Sequence, residues 1–448
     1  MADIGSSVAT RLGLAATPAG ALRRPLSAAS PALLYGAAAE ERVVLDVGSH
    51  TLRAGFSGDS APLHCAALFG EFCAAGPSGR RVGRARGLLG ADGPDVDDET
   101  LDALLLEQIR EAYRTHLLLD PKARKVAVAE SPLLPLRVKQ ALCRVLLGSL
   151  RVPLVSFYPS SLAGLVTCGA MAGLVVDCGH RSSAVVPVYD GRPLNAYMAC
   201  VPMGGRALLE GLRALLRQFA VFRPFSGAQG DHPPDDRTLD EDTCARVLRD
   251  LCSIAPRPAP ADRAGSAPGG LGPAPGRVEW FRSNCDAPEQ TVRLAAVSPA
   301  HGRGVLLIPA WVLERAAEPL LAGDPAEDRL GLVDAVVQCI ERVPVDTRRH
   351  LVSRILVVGG VADMPGLCAR LLADLTARLR QSPRWHALAA DVALAASHAG
   401  QDGAVFRASE RPWIGVSLAV AAKIGGADVK RDDFIADGAV PDWTRLAQ

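Results

Sequence analysis

Two aspartates in this chain each stand two residues ahead of a glycine at the end of an apolar run. Asp46 precedes Gly48 and Ser49 after Val43-Val44-Leu45, and Asp177 precedes Gly179 after Leu174-Val175-Val176. Each run resumes past its turn, as Thr51 to Phe56 and as Ser183 to Tyr189, which is a β-hairpin signature. Two such hairpins facing each other across a cleft can cradle phosphates with backbone N–H groups while the carboxylates hold a hydrated Mg²⁺. A third feature is the apolar run Arg354 to Val358, which feeds Gly359-Gly360 and then Met364-Pro365-Gly366 and a long Leu/Arg helix. A strand, a glycine pair and a helix in that order bring a backbone close to a nucleotide. Taken singly, an Asp-x-Gly is an ordinary turn; the three features in this order form a specific pattern. The candidate nucleotide contacts are Asp46, Gly48, Ser49, Asp177, Gly179, Gly359 and Gly360, with Asp46 and Asp177 on the metal side.

The elements between these motifs alternate. A glycine-rich loop at 76–93 leads to a predicted helix over 100–118, a buried strand over 125–129, a helix over 136–150 and a strand over 153–157. Further on, 330–340 reads as a helix. Alternating strands and helices argue for α/β layers, and two similar hairpins about one lobe apart suggest an internal duplication. At 448 residues and 49% hydrophobic content the chain is long enough for two cores. The Pro/Gly/Ala-rich stretch over about 255–277 lacks periodicity and reads as an insertion that cannot bury enough surface to order itself.

The formal net charge of +1 gives no electrostatic ground for nucleic-acid binding, and no run of like charges suggests a polybasic membrane anchor. The expected partners are proteins or a small ligand. No apolar stretch reaches the roughly 18 to 20 residues that span a bilayer, so a soluble protein without membrane insertion is expected. Eleven cysteines are scattered without a C-x-x-C pair. Several of them, such as Cys143, Cys178 and Cys339, sit in apolar runs, which reads as a reducing compartment. Residues 1–40 are Ala/Ser-rich with Arg11, Arg23 and Arg24, the composition of a transit peptide. Pro18, Pro25 and Pro31 would interrupt a continuous amphipathic helix there, and the segment is read as a disordered extension.

The motifs together resemble the actins and actin-related proteins. The resemblance is carried by Leu45-Asp46-Val47-Gly48-Ser49 with Ala54-Gly55-Phe56-Ser57-Gly58-Asp59-Ser60-Ala61-Pro62, and by Val176-Asp177-Cys178-Gly179 with Pro187-Val188-Tyr189-Asp190-Gly191. It continues in Gly204-Gly205-Arg206, in Gly359-Gly360 with Met364-Pro365-Gly366, and in Trp413-Ile414-Gly415-Val416-Ser417. These anchors span Val43 to the C-terminus. The resemblance implies an α/β actin-like two-lobed fold, with a duplicated βββαβαβα core and an interlobe cleft for ATP or ADP with Mg. The first lobe is expected over 41–172 joined by 400–448, and the second over 173–399.

Departures from the family pattern bear on activity. His50 stands where the first hairpin tip usually carries glycine, and Arg53 where a phosphate-pairing lysine is usual, so Arg53 joins the candidate cofactor contacts. His180 and Arg181 replace an aspartate and a glycine in the second hairpin. Ser160 aligns with the family's water-positioning glutamine, Met364 with an adenine-side aromatic residue and Ser409 with a basic one. Hydrolysis in phosphoryl transfer is largely positioning, so little or no turnover is expected, and no catalytic residue is assigned. His50 and His180 without further His or Cys ligands make at most half a metal site. The loop after Leu68-Phe69-Gly70, which reaches the next subunit in filament-forming members, has little apolar character here.

His180-Arg181, Ser160 and the ending Val440-Pro441-Asp442-Trp443 resemble most closely the actin-related member at the pointed end of dynactin. That resemblance implies a non-catalytic cytoplasmic, cytoskeletal subunit. Its expected partners are the filament-forming actin-related protein and the pointed-end adaptor subunits of dynactin, and indirectly dynein. The rivals are a nuclear actin-related subunit of a chromatin remodeller and an ATPase of the same superfold.

Overall fold

The computed structural model describes residues 41–68, 97–225, 230–254, 275–283, 285, 289–323, 329–395 and 406–442. Residues 1–40, the stretch 76–93, the loop after Leu68, most of the 255–277 insertion and Trp443 lie outside the described residues. In chain order the strands are β1 (Val43–Val47), β2 (Thr51–Phe56), β3 (His64–Ala67), β4 (Val126–Glu130), β5 (Leu154–Pro159), β6 (Gly173–Cys178) and β7 (Ser183–Tyr189). They continue as β8 (Arg192–Pro193), β9 (Ala199–Val201), β10 (Val221–Pro224), β11 (Thr291–Ser298), β12 (Gly302–Pro309), β13 (Ile355–Val358) and β14 (Ala427–Lys430). The chain divides into two compact units, one of Met1–Val175, Pro187–Ala196 and Ala395–Gln448, the other of Val176–Val186 and Tyr197–Leu394.

The first unit is built on a six-stranded sheet in the order β14-β5-β4-β1-β2-β3. β1 pairs antiparallel with β2 and parallel with β4, and β4 pairs parallel with β5. Both faces of the sheet are covered, which explains why β1 and β4 read as continuous apolar runs. Side chains alternate between the faces. Val43, Leu45 and Val47 enter one core with Leu101, Leu105 and Ile109 of the helix Asp98–Glu111 and Val138, Ala141 and Leu142 of the helix Leu136–Cys143. Val44 enters the other, with Ala127 and Ala129 of β4, Ala163 and Trp413. The alanines leave room for the helices Ser160–Val166 and Arg411–Ala421 to lie close on this face, and Trp413 Nε1 donates to the Val44 carbonyl at 2.9 Å.

The predicted helices over 100–118 and 136–150 each form and then widen into i→i+5 turns, from Ala112 to Leu117 and from Arg144 to Ser149. The first is capped by Asp97, whose carboxylate accepts from Thr100 N at 2.8 Å, and it stops at Leu118, which turns to φ +50°.

The second unit carries β13 and β9 with the part of β6 from Val176 and the part of β7 up to Val186, in a sheet ordered β13-β6-β7 with β9 on β7, and a separate sheet in the order β10-β12-β11. Leu208, Leu212, Leu215 and Leu216 form the buried stripe of the helix Gly205–Phe219, and Leu367, Leu371, Leu375 and Leu379 recur every four residues along the buried face of Leu367–Arg380. A buried charge network links the helix Leu367–Arg380 to the helices Ala310–Arg315 and Glu318–Ala322. Glu318 accepts from Arg315 at 2.6 Å and from both ends of the Arg370 guanidinium at 2.9 and 3.0 Å, while Arg370 Nε reaches Asp374 at 2.8 Å. Cys143, Cys178 and Cys339 are buried free thiols, as their apolar runs predict, and burial pushes the thiols of Cys143 and Cys339 up to about 12. Among the described residues no helix is long and apolar enough to cross a membrane.

Candidate nucleotide-binding hairpins

In the first unit the β1–β2 hairpin closes through Gly48 N donating to Thr51 O at 2.9 Å, which leaves Ser49 and His50 at the tip. The register then sets Asp46 directly opposite Arg53. Cross-strand partners stand on the same face of a sheet, and here Arg53 Nη1 donates to Asp46 Oδ2 at 3.0 Å with both side chains mostly buried. Burial raises the Asp46 carboxyl above the ordinary carboxylate range, an effect that outweighs the opposing attraction of Arg53. For Arg53, burial acts to lower the pKa, but Asp46, Cys65 and Glu410 more than offset it, so the guanidinium stays charged. The structure therefore brings Asp46, Gly48, Ser49 and Arg53 together on one hairpin, with the candidate phosphate-side cation and the candidate metal-side carboxylate bonded to each other.

Ser160 opens the helix that follows β5. It is 4% exposed and its Oγ has no hydrogen-bond partner. Its side chain is too short to reach where a long amide would position an attacking water.

In the second unit Gly179 N donates to Ser182 O at 3.1 Å, so His180 and Arg181 form the tip of the β6–β7 turn. The carbonyls of this tip are taken by the helix Gly205–Phe219: Gly205 N donates to Gly179 O at 3.0 Å and Arg206 N to His180 O at 2.7 Å. The first N–H groups of a helix are its anion-binding groups; these two are used inside the protein. The approach depends on Gly204, where a Cβ would come within 2.5 Å of Gly179 O and 2.8 Å of His180 O. Gly359, at φ +97°, is held just as closely against β6, where a Cβ would meet Asp177 Oδ1 at 2.8 Å. Asp177, Gly179 and Gly359 are thus gathered in one place. The close approach that the glycine pair predicts is made by Gly359 to the chain's own strand, while a Cβ at Gly360 would meet open space. Met364, on the following turn, is 9% exposed.

The Asp46–Arg53 pair was readable from the sequence, because the two residues are equidistant from the Gly48–Thr51 turn. The use of the Gly205 and Arg206 amides was foreshadowed only by the Gly204-Gly205 pair. A magnesium nucleotide on the first hairpin would compete with internal bonds. A hydrated Mg²⁺ and the Arg53 guanidinium would both draw on the Asp46 carboxylate, while Arg53, bonded there through Nη1, keeps further N–H donors that a phosphate could use. The donor set fits a held nucleotide with the Asp46 carboxylate shared between Arg53 and the hydrated metal.

A family model described as Actin matches residues 92–232 and 312–411, together more than half of the chain. The chain is 26% identical over 370 residues to centractin from Saccharomyces cerevisiae, which covers 75% of this chain and 82% of that protein. It is 23% identical over 417 residues to actin-related protein 4 from Arabidopsis thaliana, covering 80% and 89% respectively. The chain belongs to the actin family, and its α/β architecture is the actin-like two-lobed fold.

Proposed function

We propose that this chain is a non-catalytic, structural actin-related subunit that caps the pointed end of the dynactin filament, docks adaptor subunits there and so supports dynein-driven transport along microtubules in the cytoplasm. The observation that carries the non-catalytic part is the Asp46–Arg53 bond at 3.0 Å. Catalysis by electrostatic preorganisation needs charges aimed at the reacting group, and these two are aimed at each other. Ser160, buried and unpartnered where the family resemblance calls for a water-positioning amide, supports the same reading. ATP or ADP with Mg, if held, serves as a structural ligand.

The dynactin assignment rests on His180-Arg181, Ser160 and the ending Val440-Pro441-Asp442-Trp443. The likeness to a centractin and to an actin-related protein 4 supports an actin-related chain and leaves the assembly to experiment. The test is size fractionation of cell extract with detection of this chain. Migration in a large complex together with dynactin subunits is expected. Recovery only as a free monomer, or in a nuclear fraction with a chromatin remodeller, contradicts the proposal.

A further inference from the structure

The Gly48–Thr51 turn closes one end of the sheet in the first unit; the opposite end of that sheet carries a separate feature. β1, β4 and β5 run parallel, so the starts of β4 and β5 lie at the end remote from the Gly48–Thr51 turn. β14 runs antiparallel to β5 and finishes there, with Lys430 opposite Leu154. On the β4, β5 and β14 side of this end each chain segment brings a cation. Lys122 and Lys125 precede β4, Arg151 precedes β5, Lys430 ends β14 and Arg431 follows it. They line a groove of about 560 Å³ in which Asp432 is the one carboxylate. The chain as a whole has a net charge of +1, so this is a strong local excess.

Arg431 is held within the protein, its Nε donating to Leu147 O at 3.1 Å and its Nη1 lying 3.8 Å from Asp432, whereas three of the other cations stand apart from the protein's carboxylates. Lys122, Arg151 and Lys430 are exposed and have no ion-pair partner among the described residues. Arg151 sits at φ +58°, a left-handed conformation that disfavours a side chain of its size. A glycine or asparagine would fold more easily there, and the chain instead keeps an exposed guanidinium. The groove also lacks the amide cradle typical of a phosphate site. The N–H groups of Lys122, Val152 and Arg431 donate to Asp120 Oδ1, Leu146 O and Pro153 O at 3.1, 2.9 and 3.2 Å. What remains is a row of charges on separate stems, spread over several elements, which matches carboxylates spaced along a chain better than one compact polyphosphate.

We infer that this basic groove at the β4, β5 and β14 end of the first unit docks an acidic segment of a partner protein. The inference goes beyond the proposed assembly: it holds for any actin-related complex, and its failure would leave the dynactin assignment untouched.

The test is fluorescence anisotropy of a labelled oligoglutamate of about ten residues, long enough to span roughly 33 Å when extended, titrated with the purified full chain. Binding that weakens as salt is raised is expected. The Lys122→Glu/Lys430→Glu double variant, at two exposed positions, should weaken it by about tenfold. Arg151→Gly should also weaken binding while leaving Tm unchanged or higher, a combination that a purely structural role for Arg151 would not produce. An equal charge change in a second arginine-lined hollow of about 330 Å³, made by Arg237→Glu/Arg246→Glu in the other unit, should have no effect. Absence of binding, an equal loss in the control, or inositol hexakisphosphate binding this groove more tightly than the peptide would overturn the inference.

Discussion

At the scale of the residue, the Asp46–Arg53 pair decides how the first hairpin behaves. Both side chains are mostly buried, and removing one partner of a buried pair leaves the other uncompensated, at a cost of about 3–5 kcal/mol. Arg53→Ala should therefore lower the stability of the folded chain by about that amount in urea unfolding; a change below about 1 kcal/mol would mean that water already screens the pair. Asp46 also makes a prediction about pH. Its folded pKa is raised above 3.8, so the folded chain keeps the proton to a higher pH than the unfolded chain. Its contribution to stability then falls as pH rises through the window above 3.8, and Asp46→Asn should flatten the slope of stability against pH there. A slope of the same size in both proteins would assign the effect to another group. Ser160 predicts the reverse of an ordinary buried polar residue. Because its Oγ has no partner, Ser160→Ala should be neutral or stabilising by about 1 kcal/mol in thermal unfolding.

At the scale of the element, the second hairpin is fixed by the helix that abuts it. Gly204 lets the helix Gly205–Phe219 place its first two amides on the carbonyls of Gly179 and His180, and a methyl group at 204 would meet backbone atoms that cannot swing aside. Gly204→Ala should cost about 1–3 kcal/mol and speed hydrogen exchange at the Gly205 and Arg206 amides; unchanged protection at both would contradict this account. The elements were legible in the sequence where pattern alone decides. β1, β4 and β13 read as strands because both faces are covered and the runs are uniformly apolar, and the hairpins read as such from Gly48 and Gly179. The wider turns at Ala112–Leu117 and Arg144–Ser149 were not legible, since a hydrophobic period does not separate an i→i+4 ladder from a locally wider one. Nor was it legible that Gly359 would pack on Asp177, because a glycine pair after a strand serves equally to approach a ligand or a neighbouring strand. The basic groove was invisible for another reason. Its cations lie as far apart in sequence as Lys122 and Arg431, and only the order β14-β5-β4 assembles them.

At the scale of the whole molecule, the actin fold is kept while several groups in and around the two hairpins are engaged with the protein itself. Asp46 holds Arg53, the Gly205 and Arg206 amides hold the second hairpin, and Ser160 is enclosed. Function on this account lies in what the surface binds. The most direct test is phosphate release by the purified full chain supplied with ATP and Mg²⁺, together with extraction of any nucleotide it carries. The account predicts no release above buffer, whether or not a nucleotide is extracted. A burst of phosphate that Asp46→Ala abolishes would contradict it and make the chain an ATPase.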